Sequence, residues 1–145
     1  MNPSEPVILL AEDDPNDVFF MQRALAKAGV NFPLQVVKDG QEALDYLAGS
    51  GKYNDRVEFP PPSLIVLDLK MPFVNGFDVL AWIRSQPSLK DLPVIILTSS
   101  AEERDRQRAA ELGAMAYCIK PPSREMVMGI ADLLRSGKEN ATISC

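Results

Sequence analysis

Side chains that could do chemistry follow four apolar runs of this sequence, each at the point where the run ends. They are Glu12, Asp13 and Asp14 after the first run, Asp68 at the end of the third, Thr98 at the end of the fourth and Lys120 after the fifth. Adjacent carboxylates repel one another by roughly 4 kcal/mol at 4 Å when the effective dielectric is near 20. Helix capping can use one of the three neighbouring acids, and the other two need a cation, a proton or open water.

Carboxylates, a hydroxyl and an ammonium that meet at one edge of a folded protein are suited to phosphoryl transfer. The oxygens of Asp13 and Asp68 are ligands that Mg²⁺ prefers, together with water and phosphate oxygens. The Thr98 hydroxyl and the Lys120 ammonium would complete a cage for phosphoryl oxygens, with Asp68 as the nucleophile. Taken singly, each residue also fits surface charge, a loop cap, a strand end or a turn. Because all of them stand at the ends of apolar runs, the functional interpretation is favoured over these separate explanations.

Five short apolar runs alternate with helical patterns and must form the elements that position these side chains. The runs cover residues 7–11, 34–37, 64–68, 94–98 and 115–119. Several are apolar without interruption, which is typical of parallel strands covered on both faces. Right-handed crossovers fold such a (βα)5 chain into a doubly wound α/β structure with a parallel five-stranded sheet. Ligands of these sheets bind at the carboxyl ends of the strands.

The intervening helices are predicted from caps and from apolar residues at helical spacing. The first begins with Asp14 as N-cap and Pro15 at N1, carries Asp17 where an acid favours a helix N-terminus, and ends at Gly29. The others are predicted over 40–48, 76–85, 102–112 and around 127–134. The helix at 102–112 has a thin apolar stripe, so we expect it to pack lightly.

The composition indicates one ordinary globular domain. The 145 residues are 46% hydrophobic, enough for a single core, and we assign 1–145 to one domain with its core at about 7–134 and a flexible C-terminal tail at 135–145. The formal charge of −5 argues against a nucleic-acid partner. The sequence has no histidine, which excludes Ser-His-Asp and Cys-His mechanisms and His-ligated metals.

The sequence carries no targeting or membrane signal that we can identify. No run approaches the eighteen apolar residues of a membrane span, and MNPSEP lacks the basic and apolar parts of a signal sequence. We therefore expect a cytoplasmic protein without a membrane partner, in which Cys118 and Cys145 stay reduced. The segment 49–63 is interpreted as a solvated loop held by its prolines.

The residues at the rim resemble the receiver domain of response regulators, the fold of the chemotaxis regulator. The matching segments are EDD at 12–14, DLKMPFVNG at 68–76, TSS at 98–100 and KPP at 120–122, within a resemblance from about Val7 to Leu134. The resemblance implies a flavodoxin-like sheet with strand order 2-1-3-4-5. The segment before the third strand, the LTSSAEERD stretch and the tail are similar to small stand-alone regulators that serve phytochrome-type histidine kinases.

The resemblance implies a role for each matching residue. Asp68 would accept a phosphoryl group from the phosphohistidine of a sensor histidine kinase. Thr98 would bind a phosphoryl oxygen, and Lys120 would pair with it. The ligands of Mg²⁺ would be Asp13 and Asp68 directly, Glu12 through water and the backbone carbonyl of Lys70.

The resemblance also implies a switch and a contact surface. Tyr117 occupies the position of the family's switch aromatic, and movement of Thr98 on phosphorylation would let its ring turn from an exposed to a buried position. The face formed by residues 102–134 would then become a partner or homodimer surface. The same resemblance, at the K-P pair, predicts a cis peptide bond between Lys120 and Pro121.

Other functions share parts of this pattern. An aspartyl-phosphate phosphatase would need a second aspartate two residues after Asp68, where this chain has Lys70. A flavin-binding electron carrier would need a phosphate loop where AEDDPN, at 11–16, would repel a phosphate. The alternatives left open are a phosphorelay intermediate and a phosphorylation-independent scaffold, although a scaffold would be expected to lose Asp68, Lys120 or an acid. We expect a phosphorylated signalling domain and not an enzyme.

Overall fold

The fold is a five-stranded parallel sheet with helices on both faces. In the computed structural model, which describes residues 5–137 and 143–145, strands and helices alternate along the chain. The strands are β1 (Ile8–Ala11), β2 (Leu34–Val37), β3 (Leu64–Leu67), β4 (Val94–Thr98) and β5 (Ala116–Ile119). The helices are α1 (Pro15–Lys27), α2 (Gly40–Ala48), α3 (Gly76–Ser85), α4 (Glu103–Glu111) and α5 (Arg124–Ser136). The strand order β2-β1-β3-β4-β5 confirms the predicted doubly wound sheet.

The register of the strands brings their carboxyl ends to one edge of the sheet. Ala11, the last residue of β1, is paired with the last residues of both neighbours, Val37 in β2 and Leu67 in β3. At the other side of the sheet, Thr98 in β4 is paired with Ile119 in β5. The residues that follow these strands therefore share one rim, as the sequence predicts.

Apolar layers on both faces of the sheet explain the uninterrupted apolar runs. Alternate residues of a strand point to opposite faces. In β1, Ile8 and Leu10 lie in the layer completed by α1 and α5, whereas Leu9 and Ala11 lie in the layer completed by α2, α3 and α4. Because every position of such a strand is buried, the sequence shows no polar alternation.

The helices begin and pack largely as predicted. Asp14 caps α1 by accepting a hydrogen bond from the backbone N–H of Asn16 over 2.8 Å, with Pro15 in the first turn. In α4, Ala109 is the buried residue, which confirms the light packing expected of this helix. None of the helices in the described parts of the chain is both long and apolar enough to span a bilayer.

The segment 49–63 is more ordered than a solvated loop, so that prediction is wrong in part. It contains a short 3-10 helix, Gly51–Tyr53, and the Tyr53 side chain is buried. The ring of Tyr53 lies 5.0 Å from the rings of both Tyr46 and Phe59. The Tyr46 hydroxyl donates to the Pro60 carbonyl over 2.8 Å. Aromatic packing against α2, and not proline stiffness alone, therefore holds this segment.

The end of the chain also departs from the prediction. Cys118 and Cys145 form a disulfide with their Cα atoms 5.2 Å apart, where we expected two reduced cysteines. Ile143 is buried, and its side chain lies against Gly129 of α5. The predicted flexible tail is thus wrong for residues 143–145, because an apolar anchor and a crosslink fix them to β5 and α5. The part of the predicted tail at 138–142 lies outside the described residues.

Candidate functional site

The predicted site residues meet at the carboxyl edge of the sheet. Glu12 and Asp13 follow β1, Asp68 follows β3, and Lys120 follows β5. Among these, Glu12 and Asp68 are buried, whereas Asp13 is exposed. Helices α1 and α3 begin a few residues after the acids, so the turns between strand and helix form the walls of the site.

The ammonium of Lys120 is the centre of this cluster. Its Nζ atom lies 2.6 Å from Glu12 Oε1, 2.8 Å from Asp68 Oδ2 and 2.7 Å from Asp17 Oδ2. The Lys120 side chain is 15% exposed, so these ion pairs are screened by water less than surface pairs are. The structure thus brings the Lys120 ammonium into contact with the predicted phosphoryl acceptor, which lies 52 residues away in the sequence.

Three carboxylates form a group that could hold a metal ion. Oxygen atoms of Glu12, Asp13 and Asp68, one from each residue, all lie within 4.8 Å of one another. An all-oxygen donor set with an exposed member fits a hard divalent cation that keeps part of its water. The residues present therefore fit a Mg²⁺-type ion, and they do not fit metals that select thiolate or imidazole ligands.

Burial and charge act in opposite directions on the two central groups. Burial raises the pKa of Glu12 from 4.5 to about 7, although hydrogen bonds from Lys120 and from the Asp14 amide work against this rise. For Lys120, burial alone lowers the pKa, but hydrogen bonds to Asp17, Asp68 and Glu12 outweigh burial and raise the pKa above 10.5. The ammonium therefore stays charged at neutral pH, while Glu12 is poised to take up a proton.

The loop after Asp68 is held against this predicted acceptor by backbone hydrogen bonds. The Lys70 N–H donates to Asp68 Oδ1 over 3.3 Å, and the Gly76 N–H donates to the Leu69 carbonyl over 3.0 Å. A Cβ atom on Gly76 would overlap the backbone carbonyl oxygen of Asp68. Only glycine allows the start of α3 to approach the backbone of Asp68 this closely. Across the site, the peptide bond between Lys120 and Pro121 is cis, as predicted.

Phe73 stands at the apex of the same loop. Its φ angle of 69° is positive, and it is the non-glycine residue with this property in the described parts of the chain. The Val74 N–H donates to the Pro72 carbonyl over 2.9 Å, which closes a γ-turn around Phe73. The Phe73 side chain is 91% exposed. Its conformation is strained, and the turn projects an apolar ring into solvent from the loop that follows Asp68.

The end of β4 joins the site to α4. Thr98 is buried, and its Oγ1 atom accepts a hydrogen bond of 3.4 Å from the Ser100 N–H. The Ser100 hydroxyl donates to Asp105 Oδ2 over 2.7 Å and accepts from the Glu102 N–H over 3.3 Å. Ser100 therefore connects the turn after Thr98 to the first turn of α4. The sequence places Ser100 in the TSS segment but gives it no such role.

Tyr117 is found in the buried position of the predicted switch. Its hydroxyl donates to the Ser100 carbonyl over 2.8 Å, and the guanidinium carbon of Arg106 lies 4.7 Å from the ring centroid. The predicted switch has an exposed Tyr117 ring before phosphorylation and a buried ring after it. The structure differs because the inward ring contacts the apolar layer and its hydroxyl finds a carbonyl acceptor.

Asp17 is the site residue that sequence reasoning missed. Its position in the sequence predicts only a favourable acid at the N-terminus of α1, yet its carboxylate contacts Lys120 from 103 residues away in the chain. One signal could have identified it. Because α1 begins at the site, the first turn of this helix faces the same rim as Asp13.

Comparison with known proteins identifies the family. Residues 8–131 match the model of the response regulator receiver domain. Response regulator Rcp1 from Synechocystis sp. is 37% identical over 133 residues, which cover 89% of this chain and 88% of Rcp1. The family match spans all five strands, α1 to α4, the first part of α5 and every predicted site residue.

Solved structures agree with the sequence comparison. The phosphorylated cyanobacterial phytochrome response regulator RcpA is 35% identical, with a TM-score of 0.80, over 92% of this chain and 96% of RcpA. The Mn²⁺-bound form of Rcp1 is 32% identical, with a TM-score of 0.76, over 97% of this chain and 99% of that structure. The fold, the acidic cluster at its carboxyl edge and these similarities together show that the chain belongs to the response regulator receiver domain family.

Proposed function

We propose that Asp68 is the residue of this response regulator that accepts a phosphoryl group from the phosphohistidine of a sensor histidine kinase. The observation that carries the proposal is the 2.8 Å contact between Lys120 Nζ and Asp68 Oδ2, beside a group of carboxylates that could hold a metal ion. The ammonium of Lys120 lies where it can neutralise a phosphoryl oxygen added to Asp68. Asp68 also directly follows β3, at the carboxyl edge of the sheet where the other predicted site residues meet.

The proposed transfer forms one bond and breaks one. An Asp68 carboxylate oxygen attacks phosphorus, and the bond between phosphorus and the histidine nitrogen breaks. The electron pair of that bond stays on the imidazole, which leaves as a neutral ring when its other nitrogen carries a proton. Lys120 and the Thr98 hydroxyl stabilise the oxygens of the moving group, so the residues of this chain act by position and charge.

Magnesium is the cation we propose for the acidic group. Asp13 and Asp68 would bind it directly, Glu12 through water, and the Lys70 carbonyl would add a backbone ligand. When bound, Mg²⁺ supplies positive charge to the phosphoryl oxygens. The Lys70 N–H already contacts Asp68, which supports the placement of this residue beside the site.

The proposed output is a change on the face formed by residues 102–134. Thr98 contacts Ser100, and Ser100 contacts both α4 and Tyr117. A hydrogen bond from Thr98 to a phosphoryl oxygen would therefore pull on a segment that is connected to α4. Since α4 buries little apolar surface, it is the element of this face that can move most readily. We propose this face as the partner or homodimer surface.

The relatives support further proposals about partners and setting. RcpA is described as a phytochrome response regulator, so we propose a phytochrome-type histidine kinase as the partner of this chain. We also propose that 1–145 acts as a single stand-alone receiver domain in the cytoplasm, without nucleic-acid partners. It would be a signalling domain and not an enzyme, although its residues promote its own phosphorylation.

Labelling with a small phosphodonor tests the proposal directly. In the presence of Mg²⁺, wild-type protein should become labelled, and Asp68→Asn should not. Asp14→Asn is a matched control, since Asp14 only caps α1 and asparagine caps equally well. Undiminished labelling of Asp68→Asn would refute the assignment. A panel of purified histidine kinases with labelled ATP would then identify the donor.

A further inference from the structure

Asp17 makes an ion pair that the proposed roles of the other site residues do not require. Its Oδ2 atom lies 2.7 Å from Lys120 Nζ, and its side chain is 26% exposed. It is not a member of the three-carboxylate group that could hold a cation. The N-terminus of α1 is capped by Asp14, so capping does not explain the position of Asp17 either.

The number of partners around Lys120 gives Asp17 a distinct role. An ammonium has three N–H donors, and three carboxylates receive them here: Glu12, Asp17 and Asp68. Two of these carboxylates also belong to the group that fits a divalent cation. A cation would compete with the ammonium for Glu12 and Asp68. It would not compete for Asp17, which would remain a partner of Lys120.

Phosphorylation of Asp68 would also change the atoms that the Lys120 ammonium contacts. The acceptor oxygen becomes part of an acyl phosphate, and the ammonium must then reach a phosphoryl oxygen slightly farther from β3. A lysine side chain has a flexible stem of four carbons, and it loses conformational entropy when it is held in one position. A fixed carboxylate on α1 would restrict this freedom before the phosphoryl group arrives.

We propose that Asp17 is a positioning residue that holds the Lys120 ammonium at the acceptor site. Asp17 acts through Lys120 and touches neither the cation nor the phosphoryl group. This inference rests on the proposed function, because it assumes that Lys120 pairs with a phosphoryl oxygen on Asp68. It assigns the first turn of α1 to the chemistry of the site as well as to its walls.

Beryllofluoride, a mimic of the phosphoryl group, provides the first test. At saturating Mg²⁺, the apparent Kd of beryllofluoride is measured by ¹⁹F NMR for wild type, Asp17→Asn and Asp14→Asn. Asp17→Asn should weaken binding by about tenfold, as expected for the loss of a hydrogen bond between charged groups. Asp14→Asn removes the same charge from the same end of α1 and should stay within about twofold of wild type.

A double-mutant cycle separates positioning from a general structural or charge effect. The rate of labelling by a small phosphodonor is measured for wild type, Asp17→Asn, Lys120→Ala and the double variant. If Asp17 acts through Lys120, Asp17→Asn slows labelling in the wild-type background and has little further effect beside Lys120→Ala. A structural or field effect would persist in both backgrounds.

The outcomes distinguish this inference from the proposed function. Equal or tighter beryllofluoride binding by Asp17→Asn, or an equal loss of labelling rate in both backgrounds, would overturn the positioning role. Labelling of Asp68→Asn would instead overturn the proposed acceptor. Circular dichroism confirms that each variant is folded, and Asp17→Ser replaces Asp17→Asn in the cycle if the asparagine variant is unstable.

Discussion

Two neighbouring acids of the site have opposite environments. Glu12 is 3% exposed and contacts both the Lys120 ammonium and the Asp14 amide. Asp13, the next residue, is exposed. Successive residues at the end of a strand point in opposite directions, so one carboxylate turns into the protein and the other turns to solvent. This difference leads to separate predictions for the two acids.

The raised pKa of Glu12 should make stability depend on pH. Because burial raises this pKa from 4.5 to about 7, the folded protein binds the proton more tightly than the unfolded chain does. The free energy of unfolding should therefore fall as pH rises from 4.5 to 7, by up to about 3 kcal/mol. Lys120 stays charged across this window because its pKa is raised.

Urea titrations without metal, in steps from pH 4.5 to 7.5, would measure this effect. Glu12→Gln cannot titrate, so the difference in unfolding free energy between wild type and variant should shrink with rising pH as wild type loses stability. Carboxyl groups far from Glu12 titrate alike in both proteins, and their contributions cancel in the difference. A difference that does not vary with pH would contradict the assignment of the raised pKa to Glu12.

Asp13 should govern the response to metal without a role in packing. Addition of Mg²⁺ should raise the Tm of wild type, since a ligand that binds only the folded state stabilises it by mass action. Asp13→Asn should abolish this increase. Without metal, the variant should be at least as stable as wild type, because one repelling charge is removed. Thermal scans with and without Mg²⁺ test both statements, and Asp14→Asn should retain the response to metal.

Close packing of helix ends against loops fixes the site at the scale of the elements. The start of α3 lies against the backbone of Asp68 at Gly76, and the start of α2 lies against the backbone of Val74 at Gly40. A Cβ atom at either glycine would overlap a carbonyl oxygen. The loop that carries Phe73 is therefore supported from two sides. This support explains how the strained γ-turn at Phe73 persists.

Gly76→Ala should damage both stability and phosphorylation. The added methyl group meets backbone atoms and cannot be accommodated by a side-chain rotation. We expect a loss of about 1–3 kcal/mol and slower labelling by a small phosphodonor, because the carboxylate of Asp68 moves with its backbone. Denaturant midpoints and labelling rates measure the two effects.

Gly129→Ala provides the matched comparison in the interior of a helix. There the nearest atom to an added Cβ is the mobile end of Ile143, at 3.1 Å. Alanine also favours a helix over glycine by about 1 kcal/mol. This variant should therefore keep wild-type labelling and lose little or no stability. Equal damage from both substitutions would contradict the account of Gly76.

Patterns that repeat along the chain could be predicted, and contacts that depend on single side chains could not. The strands follow from uninterrupted apolar runs, so β4 is found at 94–98 as predicted. The aromatic packing of 49–63 was missed because its prolines and glycines are also typical of open loops. Asp17 was missed because a first-turn acid already has a local explanation, and sequence does not show which distant base it meets.

The disulfide is the largest departure at the scale of the whole molecule. Cys118 lies within β5, and Cys145 is the last residue of the sequence, 27 positions later. The prediction of reduced cysteines is wrong, because no pattern in the sequence shows that the chain returns to β5. Burial of Ile143 on α5 brings the two cysteines together. The crosslink therefore depends on tertiary packing that the sequence pattern does not contain.

Removing this crosslink should lower stability only under oxidising conditions. Cys145 is exposed, so Cys145→Ser removes little packing. A crosslink that closes a loop of this length lowers the entropy of the unfolded chain and stabilises the fold by about 3–4 kcal/mol. The free energy of unfolding of the variant should be lower by that amount in oxidising buffer. With dithiothreitol, wild type and variant should unfold at the same urea concentration. A difference that survives reduction would show that the contribution of Cys145 is not the disulfide.

The position of Lys120 on β5 has a consequence for synthesis. β5 is the last strand of the sheet to leave the ribosome, whereas the acids at positions 12, 17 and 68 emerge much earlier. A nascent chain that ends before β5 holds these carboxylates without the ammonium that joins them. The proposed acceptor site is therefore complete only when the last strand is added to the sheet. An unfinished chain would lack that site, so it could not take up a phosphoryl group and could not send a false signal.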